Sequence, residues 1–375
     1  MVQKVYRKDQ LDELRGALEA TGAGKIFVVR GDRSYGISGA ESFVNKLLGN
    51  SKADSFHNFD PNPQLHDLEK GVARFRKGNY ELILAIGGGS VLDMAKLISV
   101  FAHHETDIID VVKGKSALTG GKTPLLAIPT TAGTGAEATK FAVLYIDKTK
   151  YSVEHPLILP DQVYLSPDFS TTADPYLTAC TGLDALCQAV ESIWSVNANS
   201  VSEEFALRAV EIIWGNLQQA VLHNNAAARE NMVEAAYLAG RAINITRTTA
   251  PHALSYPFTS YYGIPHGHAV ALSLPFFLNF NYLVTNENCT DKRGVKTVKE
   301  RIDKVLRVLK ANISDAPTLL TELFSSIGVN INIHTLIDGL DPRIIIEHVN
   351  TERLTNNPRI VTEKDIRSFL QVQKK

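Results

Sequence analysis

A change of hydrophobic rhythm near Asp168 constrains this chain more than any other feature. Before it, short apolar runs at 26–29, 82–86, 125–128, 141–146 and 163–165 alternate with helical patterns at 65–75 and 91–101. Strands that alternate with helices in this way predict a parallel, doubly wound sheet with helices on both faces. Beyond Thr171 the strand signals fade. Apolar residues then recur at helical spacing through DPYLTACTGLDALCQAVESIW, EEFALRAVEIIWGNLQQAVL, ENMVEAAYLAGRAIN and TVKERIDKVLRVLK. The expectation is an α/β domain over residues 1–167 followed by a helical domain over 168–375, because 375 residues exceed one ordinary core. An active site would then lie in the cleft between the halves.

Composition narrows the function class. With 44% hydrophobic residues and a net charge of −1, the chain has no electrostatic bias toward nucleic acid or a membrane surface. The opening MVQKVYRKDQLDEL is charged rather than apolar, and no uninterrupted apolar run is long enough for a bilayer. Cys180, Cys187 and Cys289 are odd in number and lack a CxxC spacing, which fits reduced thiols in a cytoplasmic enzyme.

Chemistry concentrates in HALSYPFTSYYGIPHGH, where His252 and His266 stand fourteen residues apart around a segment broken by Pro and Gly. Imidazoles ligate borderline divalent metals, although ordinary buried or surface histidines would read the same way. Asp184, on an apolar helical face with Leu183, Leu186, Val190 and Trp194, is a costly acid to bury without a cation. It supplies the missing carboxylate. An N-cap role for it is less favoured, because Thr181 and Gly182 precede it as better helix-start residues. Upstream, an apolar strand feeds Gly87, Gly88, Gly89 and Ser90 into a helix, and free amides at a helix start favour an anion. That is a candidate pyrophosphate cradle, or a plain tight turn. A second strand-end loop, IPTTAGTGAEATKF, offers Thr130, Thr131 and Thr134 to a ribose, a phosphate or a nicotinamide amide.

The ordered motifs GGGSxxDxAK, PTTAGTGAE, GLDAL, a histidine with PHG closing fourteen residues later, and a late NNPR resemble the iron-containing (group III) alcohol dehydrogenase family. The likeness runs from Phe59-Asp60-Pro61-Asn62-Pro63 to Asn356-Asn357-Pro358-Arg359, nearly the whole chain. Within that family, SYPFTSYYGIPHGHAVALSLP is similar to the branch that reduces phosphonoacetaldehyde to 2-hydroxyethylphosphonate. The resemblance implies a Rossmann-like sheet domain and a helical metal domain, the architecture shared with dehydroquinate synthase. It also implies hydride exchange between a nicotinamide and an aldehyde or primary alcohol, and assembly into dimers or larger homo-oligomers. A metal, iron(II) or zinc(II), would act as Lewis acid.

Carried over residue by residue, the resemblance makes Asp184, His252 and His266 the metal ligands. Many members have a fourth ligand, a histidine, where this chain has Gln188, which is either a poor fourth ligand through its amide oxygen or a hydrogen-bond partner of a water or substrate oxygen. A second family histidine, four residues after the first, is here Tyr256, less suited to relaying a proton. His268 is expected to be structural. Gly87 to Ser90 would hold pyrophosphate, with Asp93 and Lys96 on the helix behind; Thr130, Thr131 and Thr134 would position nicotinamide and ribose. Lys150 would reach the ribose, or lie in solvent.

NAD-preferring relatives carry an aspartate directly after the first long strand, where this chain has Gly31. With Arg30, Arg33 and Ser34 adjacent, NADPH is favoured over NADH, and Asp32 opposes that preference. Simple-alcohol members usually have a small residue five positions before the first metal histidine. Arg247 stands there, suited to a phosphonate or carboxylate, with Thr248, Thr249 and Ser255 as hydroxyl donors; pairing with a structural acid is the other reading. A broad-specificity NADPH-dependent aldehyde reductase is the nearest alternative. A dehydroquinate synthase-like lyase or a non-catalytic cofactor-binding module lies further off.

Overall fold

A computed structural model describes residues 3–49, 51–147 and 149–372. The chain divides into two compact units, Met1–Ala173 and Asp174–Lys375. The first unit runs on past Asp168 because Phe169 belongs to its core, its ring 5.0 Å from that of Phe43.

The first unit is built on six strands, β1 (Lys4–Arg7), β2 (Lys25–Arg30), β3 (Lys52–Phe56), β4 (Leu82–Gly87), β5 (Leu125–Pro129) and β8 (Gln162–Leu165), all parallel, in the order β1-β8-β5-β4-β2-β3. In β2, Phe27 and Val29 enter one hydrophobic cluster while Ile26 and Val28 enter another. Side chains alternate across a strand, so a sheet covered on both faces produces the continuous apolar runs seen in the sequence. The Leu65–Arg76 and Gly89–Phe101 helices cover one of those faces. The edge strands β1 and β3, with the polar sequences KVYR and KADSF, carry no such run and give no strand signal in the sequence.

One strand departs from the expected parallel sheet. The 141–146 run, β6 (Phe141–Ile146), pairs antiparallel with β7 (Thr149–Glu154) in a separate two-stranded sheet. A connection this short cannot make the crossover of a dozen or more residues that parallel pairing demands. Within the main sheet, the chain leaves β2 outward to β3 and then returns to β4 on the other side of β2. Strand order reverses there, and the crevice outside the carboxyl ends of β2 and β4 is where an open α/β sheet binds ligands.

The second unit is helical. Its Pro175–Trp194 helix is buried almost all round: every residue from Thr178 onward is buried except Thr181. A helix apolar on all sides belongs at the centre of its domain. It begins earlier than Thr181 and Gly182 suggest. Asp174 caps it, accepting a hydrogen bond from the Leu177 amide at 2.9 Å, and Pro175 fills a first-turn position where its missing N–H costs nothing. Asp184 is therefore mid-helix. Among the described residues no helix is long and apolar enough to cross a membrane.

Candidate metal centre and dinucleotide pocket

Asp184, His252 and His266 come together in the second unit, each offering one ligand atom within 4.8 Å of the others. Two helices and a short break bring this about. His252 lies in the first turn of the Ala250–Tyr262 helix, which contains Pro257; the break is confined to Gly263, Ile264 and Pro265, and His266 then opens the His266–Ala271 helix. The segment expected to be a loop is thus mostly helical. Gly263, at φ +69°, ends the helix in the left-handed conformation that glycine adopts without strain.

Close approach of the Pro175–Trp194 and His266–Ala271 helices depends on Gly267. A β-carbon there would lie 1.9 Å from the Cys180 carbonyl oxygen and 3.0 Å from Asp184 Cβ. Any larger residue would have to push back the Cys180 backbone or the helix that His266 opens.

The candidate ligands are held electrostatically as well as sterically. His252 Nε2 stands 3.2 Å from Asp184 Oδ1, and Gln188, one turn after the aspartate, hydrogen-bonds the same carboxylate. Burial alone would raise the Asp184 pKa, but the His252 hydrogen bond and the nearby His266 charge outweigh it and hold the group below the ordinary value. Burial would lower that of His252, but the Glu191 and Asp184 carboxylates raise it to about 9. Gln188 therefore supports Asp184 rather than standing apart from the centre. Tyr256 is half-buried, its ring 6.4 Å from that of His266. His268 is structural: its Nδ1 pairs with the Tyr176 hydroxyl at 2.8 Å and its Nε2 with the Asn330 carbonyl at 2.5 Å.

Sequence reasoning missed Glu191. It is fully buried on the same helix face as Asp184, two turns on, and its carboxylate pairs with His252 Nδ1. A second acid in an apolar helix was the available signal. Glu191 also explains why Thr249 is no substrate donor. The Thr249 hydroxyl donates to Glu191 at 3.0 Å and accepts from Trp194 Nε1 at 2.8 Å, so both its hydrogen-bonding roles are spent inside the protein. Thr248 is buried, its carbonyl accepting from Asn356 at 3.0 Å. Arg247 pairs with Glu352 at 3.1 Å, the structural-acid reading of that residue, and its backbone sits at φ +59° and ψ 176°.

In the first unit, a pocket of about 360 Å³ opens at the carboxyl ends of β2 and β4, lined by Gly31, Arg33, Ser34, Gly88, Gly89 and Ser90 among others. Gly88 stands immediately before the Gly89–Phe101 helix. Gly89 is needed for a close approach: its β-carbon would lie 2.9 Å from Thr134 Oγ1, so the two glycine- and threonine-bearing loops pack against each other. The remaining residues expected at the cofactor, Gly87, Asp93, Thr130, Thr131, Thr134 and Lys150, do not line this pocket. Asp93 is committed elsewhere: it accepts from the Val143 amide at 3.0 Å and from Lys96 at 3.4 Å. Lys96 is buried and also donates to the Ala136 carbonyl and Thr139, tying the helix to the threonine loop. Lys150 acts electrostatically on Asp93. Arg30 donates to Ser55 and to the Gly31 carbonyl and stacks over Tyr35, whereas Arg33 is an exposed cation on the pocket wall.

Comparison with known proteins places these features among relatives. Residues 3–167 match the family model described as iron-containing alcohol dehydrogenase, and residues 178–373 match that of the Fe-containing alcohol dehydrogenase family, C-terminal. A long-chain-alcohol dehydrogenase of Geobacillus thermodenitrificans is 34% identical over 75% of this chain and 71% of its own length. A phosphonoacetaldehyde reductase of Streptomyces viridochromogenes is 32% identical over 84% of each. Among solved structures, sulfoacetaldehyde reductase from Bifidobacterium kashiwanohense, in complex with NAD+, superposes with a TM-score of 0.88 at 25% identity, covering 99% of this chain and 96% of that one.

Proposed function

Because this chain belongs to the iron-containing alcohol dehydrogenase family, we propose that it reduces a short aldehyde bearing an anionic tail, phosphonoacetaldehyde first among them, to the primary alcohol with NADPH. One observation carries the substrate class. Two relatives, one similar in sequence and one in structure, are named for two-carbon aldehydes that differ only in their tetrahedral anion, phosphonate or sulfonate.

Asp184, His252 and His266 would hold the metal, and one carboxylate with two imidazoles suits iron(II) or zinc(II). When bound, the ion supplies Lewis acidity to a carbonyl oxygen, worth several kcal/mol in the transition state. Glu191, Gln188 and Gly267 fix the ligand positions. Gly88, Gly89 and Ser90 would seat the pyrophosphate against helix-start amides.

The NADPH preference is supported by Gly31 in the place of a carboxylate and by exposed Arg33 and Ser34 on the same wall, and opposed by Asp32, which also lines the pocket. Arg33→Ala is expected to raise KM for NADPH about 10-fold or more, since a charge-assisted hydrogen bond is worth about 1.5–3 kcal/mol. KM for NADH should change little. Steady-state kinetics with both cofactors checks this, and equal changes would remove the preference.

Recognition of the anionic tail is assigned to Arg247. Its backbone conformation is one that essentially only glycine adopts freely, at a cost of about 1–3 kcal/mol. Retaining an arginine there calls for a compensating use. The exposed Glu352 pair is worth about 0–1 kcal/mol, so a phosphonate can displace it. Arg247→Gly is expected to lower kcat/KM for phosphonoacetaldehyde about 10- to 100-fold and spare propanal, with thermal stability unchanged or raised. Equal losses on both aldehydes would sink the assignment. The ion pair also supports a second reading, a broad-specificity aldehyde reductase, because an Arg247 that stays on Glu352 leaves the tail unrecognised. Turnover on phosphonoacetaldehyde, propanal and succinic semialdehyde, with NADPH and NADH, separates the two: comparable rates on all three favour the generalist.

A further inference from the structure

Glu191 is fully buried, yet it is not among the three candidate ligands. A carboxylate removed from water is tolerable only when donors surround it, and here they divide between its two oxygens. Oε1 accepts from the Thr249 amide at 3.0 Å, the Thr249 hydroxyl at 3.0 Å and the His252 amide at 3.2 Å; Oε2 pairs with His252 Nδ1. The first set caps the Ala250–Tyr262 helix from outside. Thr249 occupies the N-cap position but makes no side-chain capping bond of its own, its hydroxyl turning to Glu191 instead. A threonine can cap a helix alone. Passing that task to an acid on another helix adds one thing, a fixed imidazole.

Spacing explains how the fixing is rigid. Asp184, Gln188 and Glu191 recur along one face of the Pro175–Trp194 helix, so the carboxylate ligand, its amide partner and the acid that grips His252 share a single backbone.

We propose that Glu191 is the positioning residue of the metal centre: by accepting a hydrogen bond from Nδ1–H of His252 while capping that histidine's helix, it aims Nε2 at Asp184 before a metal arrives. This rests on reading Asp184, His252 and His266 as the ligand set. A ligating histidine commonly presents its second nitrogen to a carboxylate, and loss of that partner costs 10- to 100-fold in metal affinity or activity.

The isosteric variant Glu191→Gln tests the role. Three donors converge on the Oε1 position, so the amide oxygen must sit there and keep the helix cap. The amide nitrogen then faces Nδ1 and donates to it, which moves the imidazole proton to Nε2, the nitrogen the metal needs. Cobalt(II) titrations of metal-free protein, followed by visible absorption, should show affinity weakened about 10- to 100-fold. The melting temperature of the metal-free variant should stay within a few degrees of wild type. Glu191→Asp, which keeps an acceptor but shortens its reach, should fall between. Unchanged cobalt(II) affinity in Glu191→Gln overturns the proposal. Wild-type protein that binds no cobalt(II) overturns the ligand reading and the positioning role with it. If Glu191→Gln does not fold, long-range proton–nitrogen NMR of zinc-loaded wild type decides: His252 protonated at Nδ1 and ligated through Nε2 is expected, and ligation through Nδ1 overturns it.

Discussion

Gly267→Ala is expected to abolish metal retention while leaving the first unit folded. The added methyl would sit 1.9 Å from the Cys180 carbonyl oxygen and 3.0 Å from Asp184 Cβ, and neither neighbour is the movable tip of a flexible side chain. The helix opened by His266 must therefore retreat from the helix carrying Asp184. Overpacking of this kind costs about 3 kcal/mol, which in a helical unit of this size lowers the melting temperature by about 6–12 °C. Movement matters more than stability here. Ligand distances tolerate only about 0.2 Å, so even a partial retreat separates His266 from its partners. Metal content after dialysis and calorimetry on the metal-free protein check both parts; wild-type metal content in the alanine variant would refute the packing account.

Asp184→Asn has the larger expected effect on turnover. The substitution keeps the shape and removes the negative charge that balances a divalent ion, so the ion should be lost or bound without effect. Losing Lewis-acid polarisation worth about 4 kcal/mol corresponds to about a thousand-fold fall in kcat/KM for the aldehyde. Binding of NADPH, read by fluorescence, should not change, because the dinucleotide pocket is lined by residues of the first unit. Equal loss of cofactor binding and turnover would mean that the variant had unfolded or that Asp184 does something else. Turnover within tenfold of wild type, with metal absent, would remove the metal from the reaction.

Legibility in the sequence followed burial. The four interior strands of the sheet were readable because cover on two faces makes nearly every residue apolar, whereas β1 and β3, at the edges, carry polar residues and form no apolar run. Asp184 stood out because an acid among leucines is costly; Glu191 carries the same signal and was passed over because no histidine sits beside it in the sequence. Its partner, His252, is sixty-one residues away. Thr249 shows the opposite failure: a hydroxyl near a site looks like a substrate contact until its partners, Glu191 and Trp194, are known.

By itself the sequence determined the two-unit plan, the three candidate ligands and the glycine loop at the end of β4, because strand and helix period, ligand-type residues and glycine runs can all be read along the chain. Only the tertiary structure decided which groups those residues face. Hydrogen-bond partners and steric contacts across sixty to one hundred residues depend on how helices pack, and no local pattern encodes which side chain a neighbouring helix will present.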